Sequence, residues 1–363
     1  MNIPKIFINN VNGEITKESY VDCILQISND GVGSLPKSAT IKGRGHSTWM
    51  FPKKPYNIKF SKKVNLFGLG KHKKWVLLAN WMDNTSMRNI IALELANRIM
   101  PNVPKYKYVK LYMNDTYQGL YLLCEPIEDF DYLVEFNSVV DVDDVYFETS
   151  NFGYKCTVKE PSVTNDSTEF LNIRDSINNI ESILASGDFN ELSTKIDIRS
   201  FIDYILIQEL VGNEELQYPK STYMYKNGNS KFFAGPVWDF DWGTFITNDN
   251  EFSFTKYVKY WWYHKLFQSQ EFVNQLKLRW NEVKAITPGI LQFGNEIKTE
   301  ISEEVKTNNA MWPIKSVWDD MVAQGFDLYP NGNPELDFET SSQNMLNWFQ
   351  NRINQMDSLI SEL

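Results

Sequence analysis

The sequence is poor in the residues that build disulfide frameworks and His/Cys metal centres. Its 363 residues include 3 Cys and 3 His, and no cysteine pair has the C-x-x-C spacing of a structural zinc site. No apolar run approaches the ~18 residues of a membrane-spanning helix, and the start lacks the basic-then-apolar plan of a signal peptide. We therefore expect a soluble chain. Its compartment stays open, because a leader could have been removed from a longer precursor.

Acidic side chains are missing from one stretch of an otherwise acidic protein. The net charge of −10 argues against a nucleic-acid partner. Residues 42–75, however, contain ten Lys and Arg and no Asp or Glu, so the rest of the chain carries −20. A basic segment in an acidic protein indicates a local anionic ligand.

The secondary-structure patterns change along the chain. Hydrophobic residues make up 42% and charged residues 23%, which is ordinary globular composition. Strand patterns dominate the first ~160 residues, and helical periodicity dominates after Pro161. We predict an α+β protein with a β-rich domain at 1–160 and a mainly helical domain at 161–363. The main predicted elements are the hairpin strands Lys105–Met113 and Tyr117–Leu123, and the helices Met87–Ile99, Glu169–Leu184 and Ile198–Val211.

The basic segment contains a glycine-rich loop. Gly43 and Gly45 would let backbone N–H groups approach a phosphate closely. Arg44 adds charge, Ser47 adds a hydroxyl donor, and Lys59 lies on a predicted strand nearby. These residues predict an anion-binding loop. The alternative is a structural turn beside a solvated basic face.

Two further clusters contain carboxylates. Asp239 and Asp241 stand at i and i+2 among large aromatic residues, and on an extended segment they share a face that can ligate one hard cation. The alternative is a turn whose aspartates cap backbone amides. Glu215 follows a helix stop at Gly212 and is a candidate base or ion ligand. The alternative for Glu215 is a solvated surface position.

Four separated motifs resemble the spore coat protein H (CotH) kinase family. They run in family order through residues 42–59, 78–89, 114–125 and 236–241. The family is an atypical, protein-kinase-like group, so the resemblance implies a two-lobed fold with a β-rich lobe, a mainly helical lobe and ATP bound between them.

The resemblance also implies roles for individual residues. The loop with Gly43, Arg44, Gly45 and Ser47 would cover the ATP phosphates. Lys59 would take the place of the lysine on the third kinase strand, with Glu94 as its partner, and Glu125 would belong to the hinge that contacts adenine. Asp239 and Asp241 would hold Mg2+, and Asp239 and Glu215 would be the catalytic residues.

Three positions depart from the family pattern, and His46 in place of the usual Asn is the mildest change. Glu215 stands near the place where the family has an Asp, and Ser221 stands where it has an Asn that helps to hold the ion. The leading hypothesis is an ATP- and Mg2+-dependent kinase that phosphorylates protein hydroxyls. The alternative is a catalytically impaired pseudokinase, or a non-enzymatic scaffold that binds proteins or glycans through aromatics such as Trp261 and Trp262.

Overall fold

The chain folds into two compact units. The structure, a computed structural model, describes residues 3–138, 140, 144–217, 219–246, 261–324 and 336–363. The first unit contains Met1–Ile90, Pro104–Ile127 and Phe293–Asn344. The second contains Ile91–Val103, Glu128–Gln292 and Met345–Leu363.

The first unit is built on a closed sheet. Seven strands follow one another in the order β1-β7-β8-β6-β5-β4-β2, and β2 pairs again with β1 to complete the ring. The short β3 pairs with β2 at the edge of this sheet. The strands are β1 Lys5–Asn9, β2 Val21–Asn29, β3 Val32–Gly33, β4 Lys37–Gly43, β5 Tyr56–Asn65, β6 Lys71–Leu78, β7 Tyr106–Met113 and β8 Thr116–Cys124.

Alternating side chains fill the interior of this barrel. Along β5, Tyr56, Ile58 and Phe60 are buried, whereas Lys59 between them is exposed. Successive residues of a strand point to opposite faces of a sheet, so one face of each strand supplies the core. The lysines of β5 therefore lie on the outer face of the barrel, and its buried apolar residues lie inside.

The second unit contains a smaller antiparallel sheet. Its strand order is β10-β11-β9-β12-β13. In this sheet β9 pairs with both β11 and β12, which brings residues 132–136 beside residues 222–226. The strands are β9 Tyr132–Phe136, β10 Tyr146–Glu148, β11 Lys155–Glu160, β12 Thr222–Lys226 and β13 Phe233–Ala234.

Helix boundaries follow local capping signals. Asp197 accepts a hydrogen bond from the Ser200 amide at the start of one helix, and Gly212 ends that helix at φ 59°. The helices are α1 Arg88–Ile99, α2 Thr168–Ser186, α3 Phe189–Lys195, α4 Ile198–Val211, α5 Tyr263–Leu266, α6 Gln270–Met311, α7 Lys315–Ala323 and α8 Phe338–Glu362. Among the residues that the structure describes, two 3-10 helices cover Ser47–Trp49 and Glu214–Gln217. None of the helices in the described ranges has the length and apolarity to cross a membrane.

The predicted α+β class is correct, but the predicted two-lobed protein-kinase-like arrangement is wrong. A closed seven-stranded barrel, a separate five-stranded sheet and helices take its place. The ring also requires the parallel pair of β1 with β7. This pair joins residues about a hundred positions apart, so the local patterns that predicted strands carried no signal for closure.

Candidate functional site

The glycine-rich loop has a geometry that requires both of its glycines. A Cβ at Gly43 would lie 2.4 Å from the Trp49 ring, and one at Gly45 would lie 1.9 Å from Thr48 Oγ1. Gly45 also has φ +81°, a left-handed conformation that side chains disfavour. The loop therefore folds tightly onto its own 3-10 helix, and the structure explains each glycine by close packing.

The loop nevertheless presents backbone donors. The Gly43 amide donates to Thr16 O at 2.8 Å, and the Arg44 amide donates to Pro55 O at 3.2 Å. The amides of Gly45 and Ser47 have no hydrogen-bond partner within the described residues. These two amides are separated by His46 and lie at or beside the left-handed Gly45, a backbone conformation that is found in anion-binding loops.

Arg44 brings a positive charge to the same part of the first unit. Its guanidinium lies close enough to the Cys124 thiol to act on the pKa of that group, although burial dominates and raises the thiol pKa. Cys124 precedes Glu125, so the structure places the loop arginine near the predicted hinge segment.

Glu125 is bound into the sheet through both its side chain and its backbone. Its Oε1 lies 3.1 Å from His72 Nε2, and its Oε2 accepts from the Lys105 amide at 2.9 Å. Its own amide donates to Lys105 O at 2.9 Å. These contacts engage the amide that a hinge residue would offer to adenine. The nucleotide-binding role of Glu125 remains a prediction.

Lys59 projects from the outer face of the barrel. It stands directly opposite Lys74 on the neighbouring strand, and its Nζ lies 5.6 Å from the Tyr20 ring centroid. Lys42 lies over the same ring at 5.0 Å. Glu94, its suggested partner, accepts a hydrogen bond from Arg98 one helical turn further along α1 at 2.8 Å. The outer face therefore carries a cluster of cations around Tyr20.

Lys53 is a buried cation that sequence reasoning missed. Its side chain is 0% exposed, and Nζ donates to Ala79 O at 2.7 Å and to Leu120 O at 2.5 Å. The ammonium also lies 4.4 Å from the Tyr121 ring centroid. Desolvation lowers the Lys53 pKa well below its ordinary value. The sequence offered no signal for this, because Lys53 is one of many lysines in a segment that composition marks as solvated.

In the second unit, Asp239 and Ser221 lie together. Asp239 has φ +68° and Ser221 has φ +52°, both left-handed. Ser221 Oγ donates to Asp239 Oδ2 at 3.2 Å. Because Asp239 is not extended, the shared-face argument for Asp239 and Asp241 does not apply. Asp241 is buried, at 9% exposure, whereas Asp239 is half-buried.

The predicted catalytic loop is joined to the aspartate turn. The Glu214 amide donates to Gly243 O at 3.0 Å, and the Phe245 amide donates to Val211 O at 2.8 Å. The end of α4 and the turn after Asp239 are therefore held side by side. Glu215 belongs to the 3-10 helix between them, but its side chain lies outside the described part of the structure, so its role as base remains a prediction.

Two charged residues beside Ser221 were also missed. Glu135 Oε1 accepts from the Ser221 amide at 3.2 Å, and Glu135 Oε2 lies 2.9 Å from Lys159 Nζ. Lys159 also lies 3.5 Å from Asp144 Oδ1. The sequence held one signal for Glu135, because a charged residue between the apolar Val134 and Phe136 in a strand is unusual and indicates a buried, paired carboxylate.

The aromatic residues considered for glycan binding belong to the core of the second unit. Trp261 and Trp262 are buried, and their rings stack on each other at a centroid distance of 5.4 Å. Phe201 and Phe136 pack against both rings. Buried rings offer no face to a sugar, so this part of the alternative hypothesis has no support in the structure.

The fold and these residues define an α+β protein with a candidate anion-binding loop and a candidate carboxylate site. A family model described as CotH kinase protein matches residues 41–356, which is most of the chain and includes both sites. The chain therefore belongs to the CotH kinase family, an atypical kinase-like group. No curated protein matches the chain.

Proposed function

We propose that this protein binds ATP with Mg2+ and transfers a phosphoryl group to a hydroxyl of a protein acceptor. The observation that carries the proposal is the family match, because the matched residues 41–356 include the glycine-rich loop, Glu215 and Asp239. The architecture differs from the expected kinase-like fold, so the proposal rests on the family and on the chemistry of its residues.

The glycine-rich loop fits a phosphate. The amides of Gly45 and Ser47 supply two donors that no described residue uses. Arg44 supplies a guanidinium, whose planar fork suits phosphate oxygens. In this proposal the loop orients the nucleotide, and Lys59 contributes positive charge from β5.

Asp239 fits a hard divalent cation. Its carboxylate is half-buried, one oxygen is oriented by Ser221, and Oδ1 accepts no hydrogen bond from the described residues. Mg2+ takes carboxylate oxygens and keeps several waters, so one or two such side chains are a sufficient protein contribution. When bound, Mg2+ would neutralise charge that develops on the phosphate oxygens.

Glu215 is the proposed base for the acceptor hydroxyl. Its 3-10 helix is anchored to the aspartate turn by the hydrogen bond between Glu214 and Gly243. A general base must approach the proton that it accepts to within about 2.6–3.2 Å of the oxygen. Removing the carboxylate would therefore lower the rate of transfer more than it lowers ATP affinity.

A pseudokinase is the second candidate. The observation that favours it is Ser221, which occupies the place of an expected ion-binding Asn and donates to Asp239. A hydroxyl is a weaker ligand than an amide carbonyl for a hard cation. In this alternative the protein binds ATP without transferring phosphate.

A radiolabelled-ATP autophosphorylation assay with Mg2+ or Mn2+ tests the proposal. We expect incorporation by the wild type and a loss of at least about 100-fold in Asp239→Ala, since charge stabilisation supplies most of the catalysis of such enzymes. Asp175→Ala is the matched control, because Asp175 is exposed on α2 and pairs with Arg174. Transfer that survives in Asp239→Ala would contradict the mechanism. Thermal stabilisation by ATP without incorporation would support the pseudokinase.

A further inference from the structure

We propose that Glu135, supported by Lys159, is a positioning residue that fixes Ser221 and thereby orients the Asp239 carboxylate for a divalent cation. This inference rests on the proposed metal-binding role of Asp239. It assigns a function to two residues that neither the sequence motifs nor the proposed mechanism uses.

The first step is the unusual backbone at Ser221. Its φ of +52° is a conformation that costs a residue with a side chain about 1 kcal/mol or more, so neighbouring contacts must hold it. Glu135 provides such a contact, because its Oε1 accepts from the Ser221 amide at 3.2 Å. The next residue, Thr222, begins β12 and pairs with Phe136 on β9. The carboxylate thus fixes the chain just before it enters the sheet.

The second step is the burial of Glu135. Its side chain is only 9% exposed, and a buried carboxylate persists in charged form only when it is paired and hydrogen-bonded. Lys159 supplies the opposite charge at 2.9 Å from Oε2. Because Asp144 also lies 3.5 Å from Lys159, the ammonium is held from two sides. Glu135 therefore has one oxygen fixed by a cation and the other free to hold Ser221.

The third step is the contact with Asp239. Ser221 Oγ donates to Asp239 Oδ2 at 3.2 Å, which restricts the rotation of the carboxylate. Asp239 Oδ1 accepts no hydrogen bond within the described part of the chain. The sequence of contacts from Lys159 through Glu135 and Ser221 ends on the side chain that would ligate the ion. Residues that orient a metal ligand in this way typically contribute 10- to 100-fold to metal affinity.

Mn2+ binding measured by electron paramagnetic resonance tests this inference on the full chain, with a non-hydrolysable ATP analogue present. We expect Glu135→Ala to weaken Mn2+ affinity by about 10-fold or more. Ser221→Gly is the second variant, because it removes the side chain with its hydroxyl, and glycine adopts the left-handed backbone of this position without strain. We expect a similar loss of affinity there.

A double variant separates positioning from general stability. In the single variant Glu135→Gln, a side-chain carbonyl that accepts from the Ser221 amide leaves the NH2 group facing the Lys159 ammonium, so two donors oppose each other. The double variant Glu135→Gln with Lys159→Met removes this conflict. It keeps the acceptor for the Ser221 amide and buries no charge. We expect this combination to restore Mn2+ affinity towards the wild-type value. Glu181→Gln is the control, because Glu181 is another buried glutamate that accepts from the amides of Asn151 and Phe152. It should lower the melting temperature and leave Mn2+ affinity unchanged.

The outcomes distinguish the two proposals. If Asp239→Ala loses Mn2+ while Glu135→Ala and Ser221→Gly bind it as the wild type does, the positioning role is refuted and the proposed function stands. If the double variant binds as weakly as Glu135→Ala, the hydrogen bond to Ser221 is not the cause, and the inference is also refuted. If Asp239→Ala binds Mn2+ normally, the proposed metal site fails together with the inference that depends on it.

Discussion

Lys53 gives this protein a stability that should depend on pH in a particular direction. Its ammonium is fully buried, and desolvation lowers its pKa well below the ordinary value of a lysine. The unfolded chain keeps its proton up to a pKa of about 10.4. Between the two pKa values the unfolded state binds more protons, so the free energy of unfolding rises with pH. Below the folded-state pKa both states are charged, and this contribution no longer changes.

The size of the effect follows from linkage. One proton taken up on unfolding corresponds to a slope of about 1.4 kcal/mol per pH unit. Over two pH units within the window, wild-type stability should rise by up to about 2.7 kcal/mol relative to a variant without the amine. Buried tyrosines oppose the trend at higher pH, because burial raises the pKa of Tyr121 and the folded state then retains a proton that the unfolded state loses. The measurement therefore belongs below about pH 9.5.

Urea unfolding of Lys53→Met and the wild type between pH 6.5 and 9.5 tests this prediction. The absolute stability of the variant also reflects the lost hydrogen bonds to Ala79 and Leu120, but only the amine contributes to the difference in slope. Lys62→Met is the matched control, because Lys62 is an exposed lysine of the same basic segment. We expect its curve to run parallel to that of the wild type. A parallel curve for Lys53→Met would refute the argument.

Two further changes test the packing around the candidate sites. Arg352→Met should cost about 3–5 kcal/mol of unfolding free energy in urea titrations, because it leaves Glu209 buried without its cation. The double variant Arg352→Met with Glu209→Leu should recover most of the lost unfolding free energy, because it leaves no buried charge. A cost below about 1 kcal/mol for Arg352→Met alone would contradict a stabilising role for this buried ion pair. Gly45→Ala should cost about 1–2 kcal/mol because of its positive φ and its contact with Thr48 Oγ1. The cost of Gly45→Ala should be smaller when Thr48 is also replaced by Ala, because the steric contact is then removed. An unchanged cost would show that the positive φ alone causes the destabilisation.

Local elements were predictable because their signals are local. The helix Ile198–Val211 has the predicted bounds, since its apolar periodicity ends at a glycine that adopts the left-handed conformation. The hairpin of β7 and β8 was also predicted, and the two residues of its turn, Asn114 and Asp115, both have positive φ. The parallel pairing of β1 with β7 was not predictable in this way, because it depends on residues far apart in the sequence.

The site residues that belong to a sequence motif were predictable. Those that are defined only by tertiary contacts were not. Asp239 stands in a recognisable motif, whereas Glu135 is one charged residue in a strand. Its importance comes from the pairing of β9 with both β11 and β12, which sets Lys159 on one side and Ser221 on the other. No periodicity in the sequence records that three-strand arrangement.

Burial separates the family motifs into two kinds of residue. Lys53 and Asp83 are almost fully enclosed, and Asp83 uses its carboxylate to accept from the Thr85 and Arg88 amides at the start of α1. Such side chains specify the fold, since an unpaired polar group at those positions would be costly. Arg44 and Asp239 are half-buried, so they retain surface for a ligand. A motif match gives the same weight to the buried residues that specify the fold and to the half-buried residues that can contact a ligand. It is therefore stronger evidence for family membership than for activity, because catalysis depends on the half-buried residues.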